Sequence, residues 1–298
     1  MNPTLLSLLM TASAVAPQRA TIQPDPDPAA ELLAADRGFA TQATTSGLAT
    51  AFKAMCATEV TMPIAGGKFA DGVASVLAAL NGGPSGPSIR ATWIPIRVGV
   101  SADGRHGFTH GYFSIPAPGG SSEFKYLAYW IKHADGWRVA AYHRRPRVSG
   151  PVSLTLVSPV LPARRVAPVT DSAAIEAARA SLVDAERSFS AEAQTIGLGP
   201  AFLKFGSPEA VNMGARTDPG FLFGASSIAK LVSEGAPGTP SSVAWSPDRV
   251  LVASSGDLGV SIGLIRPHQP TGSEQTAFAF FTIWQRRSPN EPWRYVAE

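Results

Sequence analysis

Trp93-Ile94-Pro95, Asp103-Gly104, Gly107 and Gly111 recur as Trp245-Ser246-Pro247, Ser255-Gly256, Gly259 and Gly263, each displaced by 152 positions. A self-similarity at one fixed offset marks a duplicated structural unit. Upstream the offset is 150: Leu32, Phe39, Gly47, Leu48 and Phe52 return as Leu182, Phe189, Gly197, Leu198 and Phe202, and Arg37 and Glu59 as Arg187 and Glu209. The apolar members fall at helical intervals, so the first unit opens with a helix over about Ala30 to Cys56, broken at Gly47. Its apolar stripe must be covered, and a sheet is the natural cover.

A second short helix is expected at Ala70 to Leu80 and at Gly224 to Val232, closed by Gly-Pro loops at Gly82 to Pro87 and Gly235 to Pro240. The period then changes to two. Arg97 to Ser101, His106 to Ile115, Phe124 to Lys132 and Trp137 to His143 read as consecutive strands, repeated at Arg249 to Ser254, Leu258 to Ile265, Ala277 to Arg286 and Trp293 to Ala297. Helices followed by an antiparallel meander is an α+β plan. The organisation is therefore a domain at 30–143, a linker at 144–171 and a domain at 172–298. Pro146, Pro151, Pro159, Pro162 and Pro168 make the linker semi-rigid and extended, and its apolar run Val152 to Val160 is a candidate edge strand.

Ahead of the first domain, Leu5 to Ala16 is too short to span a bilayer and ends in small residues, which reads as a secretory leader within residues 1–20, cut after Ala12-Ser13-Ala14. No Lys or Arg precedes it. The expected location is periplasmic or secreted, with no stable membrane insertion once the leader is removed.

Composition narrows the function classes. The 298 residues carry 45% hydrophobic and 16% charged side chains, enough apolar material for two cores. A net charge of +3 with only Arg144, Arg145 and Arg147 clustered does not make a phosphate-binding face, so nucleic acid is not an expected partner. Cys56 is the sole cysteine and its counterpart is Gly206, which reads as packing and excludes an internal disulfide or a thiolate cage.

The Phe-and-Gly helix Ala185 to Leu198, the Trp-x-Pro, the run Ser255-Gly256-Asp257-Leu258-Gly259, the aromatic strand ending at Trp284 and the Trp293-Arg294 hairpin together resemble the NTF2-like superfamily, in its SnoaL-like and ketosteroid-isomerase-like branch. The first unit departs from the run with Gly104-Arg105-His106-Gly107. The resemblance implies two tandem cone-shaped (cystatin-like) domains, each a curved antiparallel sheet wrapped around helices and an apolar pocket, often paired sheet to sheet. Such scaffolds host isomerases, dehydratases, hydrolases and binders, so the fold does not choose a reaction.

Candidate chemistry sits on the strands. His106, Phe108, His110 and Tyr112 alternate on one face, as do Phe124, Tyr126, Ala128 and Trp130, and Trp137, Val139, Ala141 and His143. Pointing the same way, these faces make an aromatic wall bearing imidazoles. The second unit has Leu258, Val260, Ile262 and Leu264 in place of the first set. Three readings of that asymmetry stand: a histidine general base (His106, His110 or His143), a metal site from those three that no strand carboxylate completes, or imidazoles that are merely satisfied. Asp36, Asp71, Asp103, Glu123 and Asp135 are expected on helix surfaces or turns, Glu59 and Glu209 at a solvated helix end, and Trp93 and Trp245 as packing anchors. No cofactor and no metal is expected. The leading expectation is an exported protein that binds a small apolar ligand, or a partner, through Tyr112, Tyr126, Trp130 and Trp284. The alternatives are an isomerase or hydrolase with a His base and Tyr112 or Tyr126 as donor, and a structural pseudo-dimer or homo-oligomer whose cones are filled.

Overall fold

The computed structural model describes residues 27–81, 89–233, 235, 238–269 and 277–298. The leader and the Gly82 to Pro87 loop lie outside them. The first unit runs α1 (Pro28–Ser46), α2 (Leu48–Met55), β1 (Cys56–Ile64), β2 (Lys68–Asp71), α3 (Gly72–Asn81), β3 (Thr92–Val100), β4 (His106–Ala117), β5 (Gly120–His133) and β6 (Gly136–Pro146). The second repeats that order as α4 (Ser172–Ile196), α5 (Leu198–Phe205), β7 (Gly206–Asn212), β8 (Leu222–Phe223), α6 (Ala225–Val232), β9 (Val243–Val252), β10 (Leu258–Pro267), β11 (Phe278–Gln285) and β12 (Arg294–Ala297). Each unit is α+β, as expected, with one six-stranded sheet, ordered β2-β1-β6-β5-β4-β3 and β8-β7-β12-β11-β10-β9.

The helix break falls where the sequence places it. Gly47 and Gly197 take φ of 94° and 92°, a region that penalises any side chain, and α1 and α4 stop there. Asp27 and Asp171 cap the helix starts, accepting from the amides of Ala29 and Ala173. The repeated glycines downstream serve close packing. A Cβ on Gly107 would lie 2.5 Å from Leu32 Cδ2, and one on Gly259 the same distance from Leu182 Cδ2, so α1 and α4 seat directly on β4 and β10.

Two features differ from expectation. The sheets are mixed, because β1 and β7, which follow α2 and α5, insert beside β6 and β12 in parallel. The helical period of Ala30 to Cys56 masked the start of β1, so Glu59 and Glu209 lie on exposed strand positions and not at helix ends. The second difference is a register shift between Tyr129 and Trp130 opposite Ala141 and Val139. One extra residue reverses the side-chain alternation. Trp137 and Val139 therefore join the helix-facing core, while Ala141 and His143 turn to the opposite face.

The linker lies along the edge of β3. The amides of Val157 and Val160 donate to Ile96 and Val98, and the Val100 amide donates to Val160. Only Val160 forms a bridge, parallel to Gly99, so the apolar run covers the edge without becoming a full strand.

The outer faces of the two sheets meet in a third core that contains Phe108, Leu127, Tyr129, Val260, Ile262, Phe281 and Ile283, all at most 2% exposed. At about 1.5–3 kcal/mol for each large apolar side chain removed from water, this contact resembles a domain interior more than a transient interface. Polar groups fix its register. Arg97 bridges to Glu209 and Arg249, its counterpart, to Asp71. The two β-turns clasp each other: Asp103 Oδ2 accepts from Ser254 Oγ and the Ser255 amide, and Asp257 accepts from the Ala102 amide at 2.9 Å.

Candidate functional site

The alternation along β4 and β5 decides where the candidate side chains go. Across that pair His106 faces Ile131, Phe108 faces Tyr129 and His110 faces Leu127, whereas Tyr126 and Trp130 lie opposite Gly111 and Gly107. The histidines and the Tyr126–Trp130 set are thus on opposite faces of the sheet, and the strand faces do not combine into one wall.

All three imidazoles look into the contact between the units. His110 is fully buried, its ring 4.7 Å from Phe221, with neither ring nitrogen hydrogen-bonded. His143 stacks on Phe281 at 6.0 Å, and His106 Nδ1 pairs with the Tyr129 hydroxyl at 2.9 Å. Burial holds them neutral, pulled down to about 4 for His106, 3 for His110 and 4 for His143. Among the described residues no three His, Cys, Asp or Glu side chains converge to hold a metal. Cys56 is buried and its thiol is pushed up to about 12. Tyr112 lines a different place, a groove of about 310 Å³ between the linker and the second unit, with Phe221 and Val152.

Each cone instead carries a buried carboxyl delivered by its long helix. Asp36 stands one helical turn after Leu32 and one before Phe39, on the core stripe of α1, and is 1% exposed. Its Oδ1 accepts from Trp93 Nε1 at 2.6 Å and its Oδ2 from the Tyr126 hydroxyl at 2.8 Å. Glu186 is its counterpart in α4. Its Oε1 accepts from Trp245 Nε1 at 2.6 Å, and its Oε2 from Trp284 Nε1 at 2.9 Å and from the Ser261 hydroxyl. The longer acid reaches Trp284, so Phe280 needs no hydroxyl where Tyr126 supplies one. Burial raises both carboxyls above the usual range, and the donors pull in the opposite direction. Trp93 and Trp245 are therefore ligands of a buried acid as well as packing anchors. The repetition of an acid at Asp36 and Glu186, within otherwise apolar helical stripes, was the available signal.

The two cones differ in their filling. In the first, Tyr142 is 2% exposed, stacks on Tyr126 at 6.0 Å and meets Phe52 edge-on at 5.3 Å. Counting from Trp137 and Trp293, the same position in the second unit is Glu298. There a cavity of about 100 Å³ remains, lined by Glu186, Phe189, Leu198, Phe202, Val243, Trp245, Ile265, Phe280, Thr282 and Glu298. Glu186 forms its buried floor, while Leu198, Val243 and Ile265 are only half-buried. Glu298 Oε1 accepts from Asn212 Nδ2 at 2.8 Å. Burial pushes the Glu298 carboxyl up to about 8, and the neighbouring Glu186 adds to the shift. Of the expected ligand-binding residues, Trp284 holds the floor of this cavity through Glu186, and Tyr126 and Trp130 belong to the filled cone.

No family model matches the chain, and no curated protein matches it. Similar solved structures include an NTF-2 like protein of unknown function from Shewanella oneidensis MR-1, 12% identical over 40% of this chain and 98% of that one, with a TM-score of 0.34. A ketosteroid isomerase-like protein from Erwinia carotovora atroseptica is 16% identical over 41% of this chain and 98% of its own, with a TM-score of 0.34. The S. rosetta CaMKII hub is 19% identical over 41% and 99%, with a TM-score of 0.33. In element order and mixed-sheet topology, both units of this chain have the NTF2-like, cystatin-like fold.

Proposed function

We propose that the second unit binds a small, largely apolar molecule in its cone and that the first unit is its structural support. The observation that carries this reading is the pairing of a cavity of about 100 Å³ over Glu186 with a first cone in which Tyr142 occupies the corresponding place. A cavity of that size is smaller than the ~150 Å³ one known to admit benzene, so the occupant has about six heavy atoms or fewer. Apolar walls supply the driving force and the carboxyls orient one polar group. The test is a thermal-shift screen of compounds in that size range, run in parallel on Val243→Phe, which narrows the mouth. A ligand at ten times its Kd stabilises by about 1.4 kcal/mol, a rise of a few degrees. If no compound raises the wild-type Tm above that of the variant, the filled-scaffold reading replaces this one.

A second reading, proton transfer at the same cavity, is favoured by one observation: Glu298, poised near neutrality, adjoins Glu186 in an apolar enclosure. On that reading the general base is a carboxyl and not one of the three histidines. Export through the Leu5 to Ala16 leader is part of the proposal on sequence grounds, and N-terminal sequencing of the protein recovered from its native compartment checks it.

A further inference from the structure

The chemistry of the cavity wall narrows the ligand class. Two carboxyls, Glu186 and Glu298, share a small enclosure with the rings of Phe189, Phe202, Trp245 and Phe280, and among the described residues no Lys, Arg or His lines it. From this arrangement we infer that the second cone selects a small organic cation, an alkylammonium of about three to five heavy atoms, over neutral or anionic molecules of the same size. The inference rests on the reading that the cavity binds a small molecule at all.

An anion is excluded by like charge, with no basic side chain in the wall to offset it. A neutral ligand leaves the two acids to compete for one environment, so at least one stays protonated. A cation removes that conflict, because its charge lies between the two carboxyls and both ionise. Aromatic side chains in the wall act in the same direction, since a ring face attracts a desolvated cation. The alkyl part occupies the space bounded by Leu198, Val243 and Ile265. The first cone lacks this option, because Tyr142 replaces the second acid and packs on Tyr126 and Phe52.

Among the described residues, Glu298 interacts with Glu186 from α4, Asn212 from β7 and Tyr295 from β12, none of them cationic. Cation binding therefore drives a proton off Glu298. Below pH 8 the affinity should rise up to about tenfold per pH unit, whereas a neutral ligand gains nothing from rising pH.

The probes are n-propylammonium and its neutral isostere 1-propanol, with binding to the full-length protein measured by calorimetry and protein NMR between pH 6 and 9. The expected result is tighter binding of propylammonium, strengthening with pH, with the pH dependence abolished by Glu298→Gln. Phe280→Leu keeps the test independent of that acid and should weaken propylammonium several-fold more than propanol. Propanol binding as well as propylammonium, or better, overturns the cation inference and leaves the cavity reading intact. Binding of neither probe overturns both. Equal losses for the two probes in Phe280→Leu, with no pH dependence in the wild type, also overturn the cation inference.

Discussion

Tyr142 and Glu298 occupy the same place in the two copies, Tyr142 within β6 and Glu298 just after β12, the strands that pair in parallel with the strand after each broken helix. Tyrosine there closes the first cone by stacking on Tyr126, and glutamate leaves the second open above Glu186. Tyr142→Ala should therefore empty a packed site and cost about 3–5 kcal/mol. Glu298→Gln should act differently. A carboxyl raised to about 8 in the folded state contributes stability that is full below the ordinary glutamate range and lost as pH rises through 8. The variant should match wild type at pH 5 and exceed it in Tm at pH 8.5. A Tm difference that does not change with pH would remove Glu298 from the alkaline limb.

Asp36 is held by an indole and a phenol, both buried. Asp36→Ala strands the buried Trp93 donor and leaves the Tyr126 hydroxyl only Thr109 as a partner, so a loss of about 1–3 kcal/mol is expected. Trp93→Phe and Tyr126→Phe each remove one donor and leave the acceptor a remaining partner, and should cost less than the Asp36 change. Chemical denaturation of the three variants, monitored by tryptophan fluorescence where Trp93 is kept and by circular dichroism throughout, orders them.

The histidines set an acid limb. His106, His110 and His143 resist protonation in the folded protein until about pH 4, 3 and 4, whereas in an unfolded chain they titrate near 6.5. Below pH 6.5 the unfolded chain takes up protons that the folded one refuses. Stability is therefore full above pH 6.5 and falls from 6.5 to about 4 for His106 and His143 and to about 3 for His110, by at most about 1.4 kcal/mol per pH unit for each ring. His110→Leu should flatten part of that slope in a series of melting curves. It should also raise the Tm near neutral pH, because the unpartnered ring nitrogens are removed.

Lys125 ties the units together. It is fully buried, and its Nζ donates to the carbonyls of Asp218 and Gly220 at 3.0 Å and of Ala215 at 3.4 Å. Replacing Lys125 with Met keeps the stem and removes the charge, leaving three carbonyls short of a donor at a cost of about 2–3 kcal/mol. Amide exchange should accelerate across residues 213–221 while the helices keep their protection. Uniform acceleration would instead mean that the whole second unit has loosened.

The duplication, the break at Gly47 and Gly197, the strand sequence and the α+β class are all carried by local signals: fixed offsets, a change of period from 3.6 to two, and glycines where the chain turns or packs closely. These belong to the sequence alone, because backbone preference and amphipathic period act over a few residues. The tertiary structure decided the rest. Whether His110 or Tyr126 faced a cone depended on which side of the sheet the helices covered, and the shift at Tyr129 and Trp130 reversed Ala141 and His143 relative to Trp137. Asp36 reads as a surface acid until donors 57 and 90 residues away along the chain are brought against it, and Glu186 gains its role from a donor 98 residues away. The open cone is equally non-local, since a cavity is the volume that side chains from α4, α5, β9, β10 and β11 together fail to fill.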